Sequence, residues 1–230
     1  WTNYLERFSF KNETIFPDEI WVINEIAKKE AIQAGIPERL ITISGNPYYE
    51  KVKNFSPEIS KKDFFLSHKL DPIKKSILFI SDDIKKSFPS NENGDCILGF
   101  DEYAVLSDIL IGFTKLKKDR QIDFGNYQLV IKLHPRATEN KFKNVLNELK
   151  PEGLDTFCLK QCEPLTLNYY SDYVLGMFSN MVTESMLMKK KLLRVEIGAK
   201  KEDIFKFKSS LNRITSRKDL EPALEKLIRK

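Results

Sequence analysis

The chain has 230 residues, room for one large domain or two small ones, and 41% of them are hydrophobic, 16 being Phe, so it can build a core. Lys and Arg number 38 against 33 Asp and Glu, a net charge of +5. That is mildly basic, without the concentrated positive stripe of a duplex binder, and it excludes a nucleic-acid partner as the expectation.

The elements alternate. Glu19 to Asn24 reads as a strand, Glu25 to Ala34 as a helix stopped by Gly35, and Leu40 to Ser44 as a second strand broken by Gly45-Asn46-Pro47. This is a strand–helix–strand unit with a connection long enough for a parallel crossover. Residues 50 to 74 are rich in Lys and Ser and read as a linker with a short helix around Phe64-Phe65-Leu66. A second alternation follows. Lys75 to Ser81 is a strand, Ser87 to Gly94 a loop, and Gly99 to Lys117 a helix with apolar residues at Tyr103, Val105, Leu106, Ile109, Leu110 and Phe113. Tyr127 to Leu133 is a strand whose near-continuous apolar run predicts cover on both faces. A helix near Glu139 to Leu149, a strand Thr156 to Leu159 and a helix Leu165 to Tyr170 come next. Asp172 to Met177 is a strand, Asn180 to Lys189 a helix, Leu192 to Ile197 the last clear strand, and Lys218 to Lys230 an amphipathic closing helix. The fold class this predicts is α/β, a Rossmann-like doubly wound parallel sheet.

Cys96, Cys158 and Cys162 fit no disulfide framework and no metal spacing, so a reducing compartment and no metal are expected. No apolar run approaches the roughly 20 residues of a membrane-spanning helix, and no signal-peptide pattern is visible. The first residue is Trp1 rather than Met, and the expectation is a fragment that lacks its N-terminal part.

Two strand-to-helix junctions carry the chemistry. In open α/β sheets, ligands bind outside the carboxyl ends of the strands. His134 stands at such an end, Pro135 stops the ladder, and Lys132, His134 and Arg136 converge where a phosphate would sit. At the second junction Gly176 permits close backbone approach, Ser179 or Asn180 caps the next helix, and its free N–H groups offer an anion site. Glu184 lies one turn on from Asn180 and could accept hydrogen bonds from ribose hydroxyls. Ser81 and Asp82, with Asp83, form a further edge of the same cleft. Solvated cations at a strand end and an ordinary capped helix are the plainer alternatives. The chain has no G-x-G-x-x-G fingerprint, no P-loop and no G-x-S-x-G elbow.

These segments resemble the C-terminal part of a GT-B glycosyltransferase. Trp21-Val22-Ile23-Asn24, Gly35-Ile36-Pro37 and Ile43-Ser44-Gly45-Asn46-Pro47 are similar to the unit that leads into the interdomain linker. Lys132-Leu133-His134-Pro135 resembles the His-Pro motif of bacterial sialyltransferases, capsule Kdo transferases and CDP-glycerol-dependent teichoic acid polymerases. Ser179 through Glu184, then Lys190-Lys191-Leu192, is similar to their Ser…Glu-Ala…Gly-Lys-Pro donor motif, with Ser185 in place of Ala and Lys190-Lys191 in place of Gly-Lys. The resemblance implies residues 1–49 as the end of an N-terminal acceptor domain, 50–74 as linker and 75–230 as the donor domain. It implies His134 and Ser179 on the nucleotide phosphate and Glu184 on the ribose. The donor would be a nucleotide-sugar, CMP- or CDP-linked ahead of UDP-linked, with no further cofactor, and its partner a saccharide or lipid-linked acceptor. The protein would be cytoplasmic and able to lie peripherally on the inner face of the membrane. The expected function is therefore a transferase of surface polysaccharide biosynthesis. A UDP-N-acetylglucosamine 2-epimerase-like enzyme and a non-catalytic nucleotide-binding module are the alternatives. No catalytic base is assigned: Asp18, Glu19 and Asp82-Asp83 are the local candidates, and such a base usually comes from the N-terminal domain.

Overall fold

A computed structural model describes residues 4–11, 13–92, 94, 96–200, 203 and 212–229. The chain divides into two compact units, residues 1–51 and 52–230.

In the first unit a short antiparallel ribbon, β1 (Ser9–Phe10) and β2 (Glu13–Thr14), precedes β3 (Ile20–Val22), α1 (Glu25–Gln33) and β4 (Ile41–Ile43). β3 and β4 pair in parallel, Ile20 opposite Ile41, as the crossover pattern requires. Asn24 caps α1 by accepting the Ala27 N–H at 2.9 Å, and Gly35 ends it at φ +95°, a conformation that favours glycine. α2 (Pro47–Lys53) follows.

The second unit continues with α3 (Lys61–Ser67), β5 (Lys75–Ile80), the one-turn α4 (Ile84–Ser87), α5 (Glu102–Arg120), β6 (Tyr127–Lys132) and α6 (Lys143–Leu149). Then come β7 (Asp155–Leu159), α7 (Pro164–Tyr170), β8 (Tyr173–Gly176), α8 (Asn180–Leu187), β9 (Lys191–Val195), β10 (Asn212–Ile214) and α9 (Arg217–Arg229). Six strands form one parallel sheet in the order β10-β9-β8-β5-β6-β7. The sequence reading ended the strands at Ile197; β10 corrects it, adding an edge strand that pairs with β9 through Asn212 opposite Leu193.

Side-chain alternation divides this sheet into two cores. Ile77 and Phe79 of β5, with Leu129 and Ile131 of β6, face a layer containing Ile109 and Phe113 of α5 and Leu224 of α9. Leu78, Ile80 and Val130 face the other way, onto Phe64 and Phe65 of α3, Leu167 of α7 and Val182 of α8. Both faces are therefore dry, which is why the strands read as continuous apolar runs. Phe64 and Phe65, in the stretch read as a linker, belong to the core of this unit. The architecture is α/β, a Rossmann-like doubly wound sheet of the kind that forms one half of a GT-B fold.

Candidate functional site

The strand order carries a reversal. From β5 the chain adds β6 and β7 on one side, then returns to add β8, β9 and β10 on the other. The crevice at such a switch lies at the carboxyl ends of the two strands where direction changes, here β5 and β8. Ser81-Asp82-Asp83 leave β5 and Met177-Phe178-Ser179 leave β8, with His134 beyond the end of neighbouring β6.

Ser179 is the N-cap residue of α8 but its side chain makes no capping bond; only its carbonyl takes part, accepting from Val182 N–H at 3.1 Å. Its Oγ is buried with no hydrogen-bond partner. A buried hydroxyl left unpaired costs about 1–3 kcal/mol, so this one is poised to bond something that arrives at the helix N-terminus. Asn180 is exposed at the start of α8, whereas Glu184, one turn on, is buried at 8% exposure. That excludes a solvated glutamate. Ser185, the departure from the motif, donates to Asn168 Oδ1 at 3.0 Å and to the Met181 carbonyl at 2.8 Å, locking α8 onto α7.

The three basic groups of the β6 end have different fates. Lys132 is buried, and its ammonium donates to the carbonyls of Leu133 at 3.0 Å and Lys160 at 2.9 Å. Arg136 turns to the β5 side, its Nη2 donating to Ser87 Oγ at 2.9 Å and its Nε lying 3.5 Å from Asp83. Convergence of all three on one phosphate is therefore corrected: two serve the frame. His134 is half-buried, and its Nδ1 accepts the Arg136 N–H at 3.2 Å, which fixes the proton on Nε2. Burial first, and Arg136 second, push its pKa below the ordinary 6.5 against the pull of Asp83. At neutral pH it is a neutral imidazole offering one Nε2–H rather than a positive charge. Exposed Pro135 follows it, and the Ala137 N–H closes the turn on the His134 carbonyl at 2.8 Å.

The β5 end is a charged cluster that the sequence reading saw only in part. Ser81 is buried, its Oγ donating to the Asp82 carbonyl at 3.1 Å. Buried Lys141 donates to the same carbonyl at 2.9 Å and pairs with Glu102 at 2.7 Å and Asp83 at 3.4 Å. Glu102 and Lys141 went unnoticed because neither interrupts a strand; each sits among loop and helix-end polar residues. Asp82 accepts a hydrogen bond from the Phe178 N–H, tying the two switch strands together, and its Oδ2 is buried without a partner. Burial is the main cause that pushes Asp82 up to about 6; Glu102 adds to it, while the Phe178 bond and Lys141 oppose it. A cavity of ≈ 240 Å³ borders Asp83, Glu102, Tyr103 and Lys141.

On β9, Arg194 is fully buried. Its Nε donates to the Met177 carbonyl at 2.9 Å, its Nη1 pairs with Asp203 at 2.7 Å and its Nη2 with Glu196, which also takes Arg213 at 2.9 Å. Arg194 thus holds the turn that presents Ser179. Its signal was present in the sequence: one charge in the apolar strand Leu192-Leu193-Arg194-Val195.

Other candidates lie elsewhere. His68 ends α3, its Nδ1 bonded to the Phe64 carbonyl at 2.9 Å. Asp18 and Glu19 are exposed in the first unit, and hydrogen bonds from Thr42 and Trp21 hold Glu19 below the usual carboxylate range. Among the described residues no group of three or more His, Cys, Asp or Glu is placed to hold a metal ion, and no helix is long and apolar enough to cross a membrane.

No family model matches the sequence, and no curated protein matches it. Solved structures do match the fold. UDP-GlcNAc 2-epimerase from Methanocaldococcus jannaschii is similar with a TM-score of 0.59 and 16% identity over 93% of this chain and 56% of that one. The Neisseria meningitidis UDP-GlcNAc 2-epimerase bound to UDP-GlcNAc gives 0.57 and 16%, over 92% and 53%. An S. aureus MnaA–UDP complex gives 0.55 and 13%, over 93% and 51%. The chain spans about half the length of these structures. The expectation of a glycosyltransferase is corrected here: two of these neighbours are UDP-GlcNAc 2-epimerases and none of the three is named as a glycosyltransferase.

Proposed function

We propose that this chain is the nucleotide-binding part of a sugar-nucleotide enzyme similar to UDP-GlcNAc 2-epimerases, and that it binds a UDP-linked sugar at the β5–β8 switch. The observation that carries the reading is the buried, unpaired Ser179 Oγ at the N-terminus of α8. Backbone N–H groups there, with the positive end of the helix dipole, suit a pyrophosphate. His134 would add its Nε2–H to a phosphate oxygen, and Glu184 would accept ribose hydroxyls. Pro135 and Asn180 would shape the rim, with Lys132 bonded in the frame beneath it, and Ser81 and Asp82 its far edge. A pyrophosphate diester carries its charge across the whole pH range of the protein, so neutral donors bind it without a permanent counter-charge.

The complex of the Neisseria protein with UDP-GlcNAc and that of the S. aureus protein with UDP support a uridine ligand over a cytidine one. A non-catalytic nucleotide-binding module is the second reading, since the residues at the switch are assigned to holding a nucleotide and none of them to a catalytic base.

Calorimetric titration of the chain with UDP, UDP-GlcNAc, CMP and pyrophosphate tests binding. The expected order is UDP and UDP-GlcNAc above CMP, and His134→Ala should weaken UDP by about 1.5–3 kcal/mol, the worth of a hydrogen bond to a charged group. No binding of any pyrimidine nucleotide at millimolar concentration refutes the site. Binding without interconversion of the C2 epimers leaves the module reading in its place.

A further inference from the structure

Asp82 and Ser179 present two buried, unpartnered oxygens on neighbouring strand ends, linked through the Phe178 N–H that Asp82 accepts one residue before Ser179. Ser179 Oγ can rotate its proton towards any acceptor. An ionised Asp82 has no proton to offer, and a phosphate oxygen has only lone pairs.

We propose that Asp82 acts in its neutral form, donating an Oδ2–H hydrogen bond to the ligand's phosphate beside Ser179, so that the site takes up one proton from solvent when it binds a nucleotide-sugar. This rests on the nucleotide-sugar reading above and assigns Asp82 a part in it.

The charges around Asp82 favour the neutral acid. On its own loop is Asp83; from α5 comes Glu102; from the segment before α6 comes Lys141; from the end of β9 comes Glu196. Two carboxylates, Glu102 and Glu196, therefore act on it against one buried ammonium, and Lys141 is already shared between Asp83 and Glu102. Arg136 lies 3.5 Å from Asp83, and Arg194 and Arg213 are held by Glu196. His134 stands nearest the Asp83 side and stays uncharged at neutral pH. Burial has already brought Asp82 up to about 6, within reach of physiological pH. A phosphate diester arriving at the crevice adds a further negative charge and a lone pair that only the protonated form can satisfy, so the proton goes on as the ligand does.

UDP-GlcNAc is the probe, because its diphosphate diester does not titrate near neutral pH. Binding to the whole chain is measured calorimetrically at pH 7.5 in buffers of different ionisation enthalpy, and its affinity followed from pH 6 to 8. The wild type should take up a fraction of a proton approaching one and bind about tenfold more weakly at pH 8 than at pH 6.5. Asp82→Asn, whose amide is a permanent donor, should take up almost none, show a flat profile and match or exceed the wild type at pH 8. His134→Gln should bind more weakly but keep the uptake. Should Asp82→Asn fail to fold, growth of the infrared carbonyl band of a protonated carboxylic acid on adding UDP-GlcNAc to the wild type reports the same event. Uptake that survives in Asp82→Asn, or vanishes in His134→Gln, overturns the proposal and assigns the proton elsewhere. A wild type that binds with no uptake and no new band overturns it while the nucleotide-sugar reading stands. A wild type that binds no UDP-GlcNAc between pH 6 and 8 overturns that reading and this proposal together.

Discussion

Gly176 and Val182 are packed so closely that a side chain on the glycine would bring its Cβ to 2.7 Å from Val182 Cγ2. The contact sets the approach of α8 to the end of β8, and with it the position of Ser179. Ile80 Cβ lies 3.5 Å from the same point, so the glycine cannot yield towards β5 either.

Gly176→Ala should therefore cost about 1–3 kcal/mol through overpacking and displace the helix N-terminus. Nucleotide affinity should fall with it. Adding Val182→Ala opens room for the new methyl group and should recover much of the binding, though not the packing lost from the core. Denaturant midpoints and UDP titrations of the two variants separate these effects; a double variant as weak in binding as the single one would mean that this contact does not position the site.

Arg194 reaches the same turn from β9 through the Met177 carbonyl, and it is paired with Glu196 and Asp203. Removing one partner from a buried ion network leaves the others exposed to a low dielectric, an effect of about 3–5 kcal/mol. Arg194→Met should lie at the low end of that range, because Glu196 keeps Arg213. Arg194→Lys retains the charge but cannot reach the carbonyl and both carboxylates at once, so it should be milder in urea denaturation while still weakening UDP binding.

Much of the scaffold was legible because the central strands β5, β6 and β8 are buried on both faces and α1, α3 and α5 are capped by Asn24, Ser60 and Asp101. β10 was not: Asn212-Arg213-Ile214 is a short polar edge with no apolar run to announce it. Residues at strand ends could be located from the sequence, since Pro135 and Gly176 punctuate them. Their chemistry could not. That Lys132 is spent on the carbonyl of Lys160, 28 residues away, is a property of β6 lying beside β7, and that His134 is neutral follows from its burial and from Arg136. The reaction class was not legible for a related reason: a histidine at one strand end and a Ser…Glu helix start would bear on how a nucleotide is held, and say nothing of which bond would change.

Glu184 separates a nucleoside site from a bare phosphate site. It is buried in the second turn of α8, past the N–H groups that would hold the pyrophosphate. Glu184→Gln keeps its shape and helix propensity but weakens the acceptor. It should lower UDP affinity about tenfold, or ~1.4 kcal/mol, and leave pyrophosphate binding unchanged or slightly tighter because a negative charge is gone. Equal losses for both ligands would show that the residue only orders the helix.

Asp82 also makes a prediction about stability that needs no ligand. Its pKa is raised from the ordinary 3.8 to about 6 in the folded chain, chiefly by burial. A raised carboxylate means that the native state holds its proton more tightly than the unfolded state. Its contribution is therefore fully favourable below pH 4, is lost as pH rises from about 4 to 6, and stays lost above that. The gap between 3.8 and about 6 corresponds to roughly 3 kcal/mol. Asp82→Asn cannot ionise and escapes the loss, though its amide accepts the Phe178 N–H more weakly than a carboxylate does. The variant should thus be more stable than the wild type by about 1–3 kcal/mol at pH 7.5, and the two should converge as pH falls towards 4. Melting temperatures taken across pH 4 to 8 check this directly: a difference that stays constant over the whole range would mean that Asp82 does not titrate there, and a wild type more stable than the variant at pH 7.5 would mean that its charge is welcomed by the surrounding groups rather than resisted.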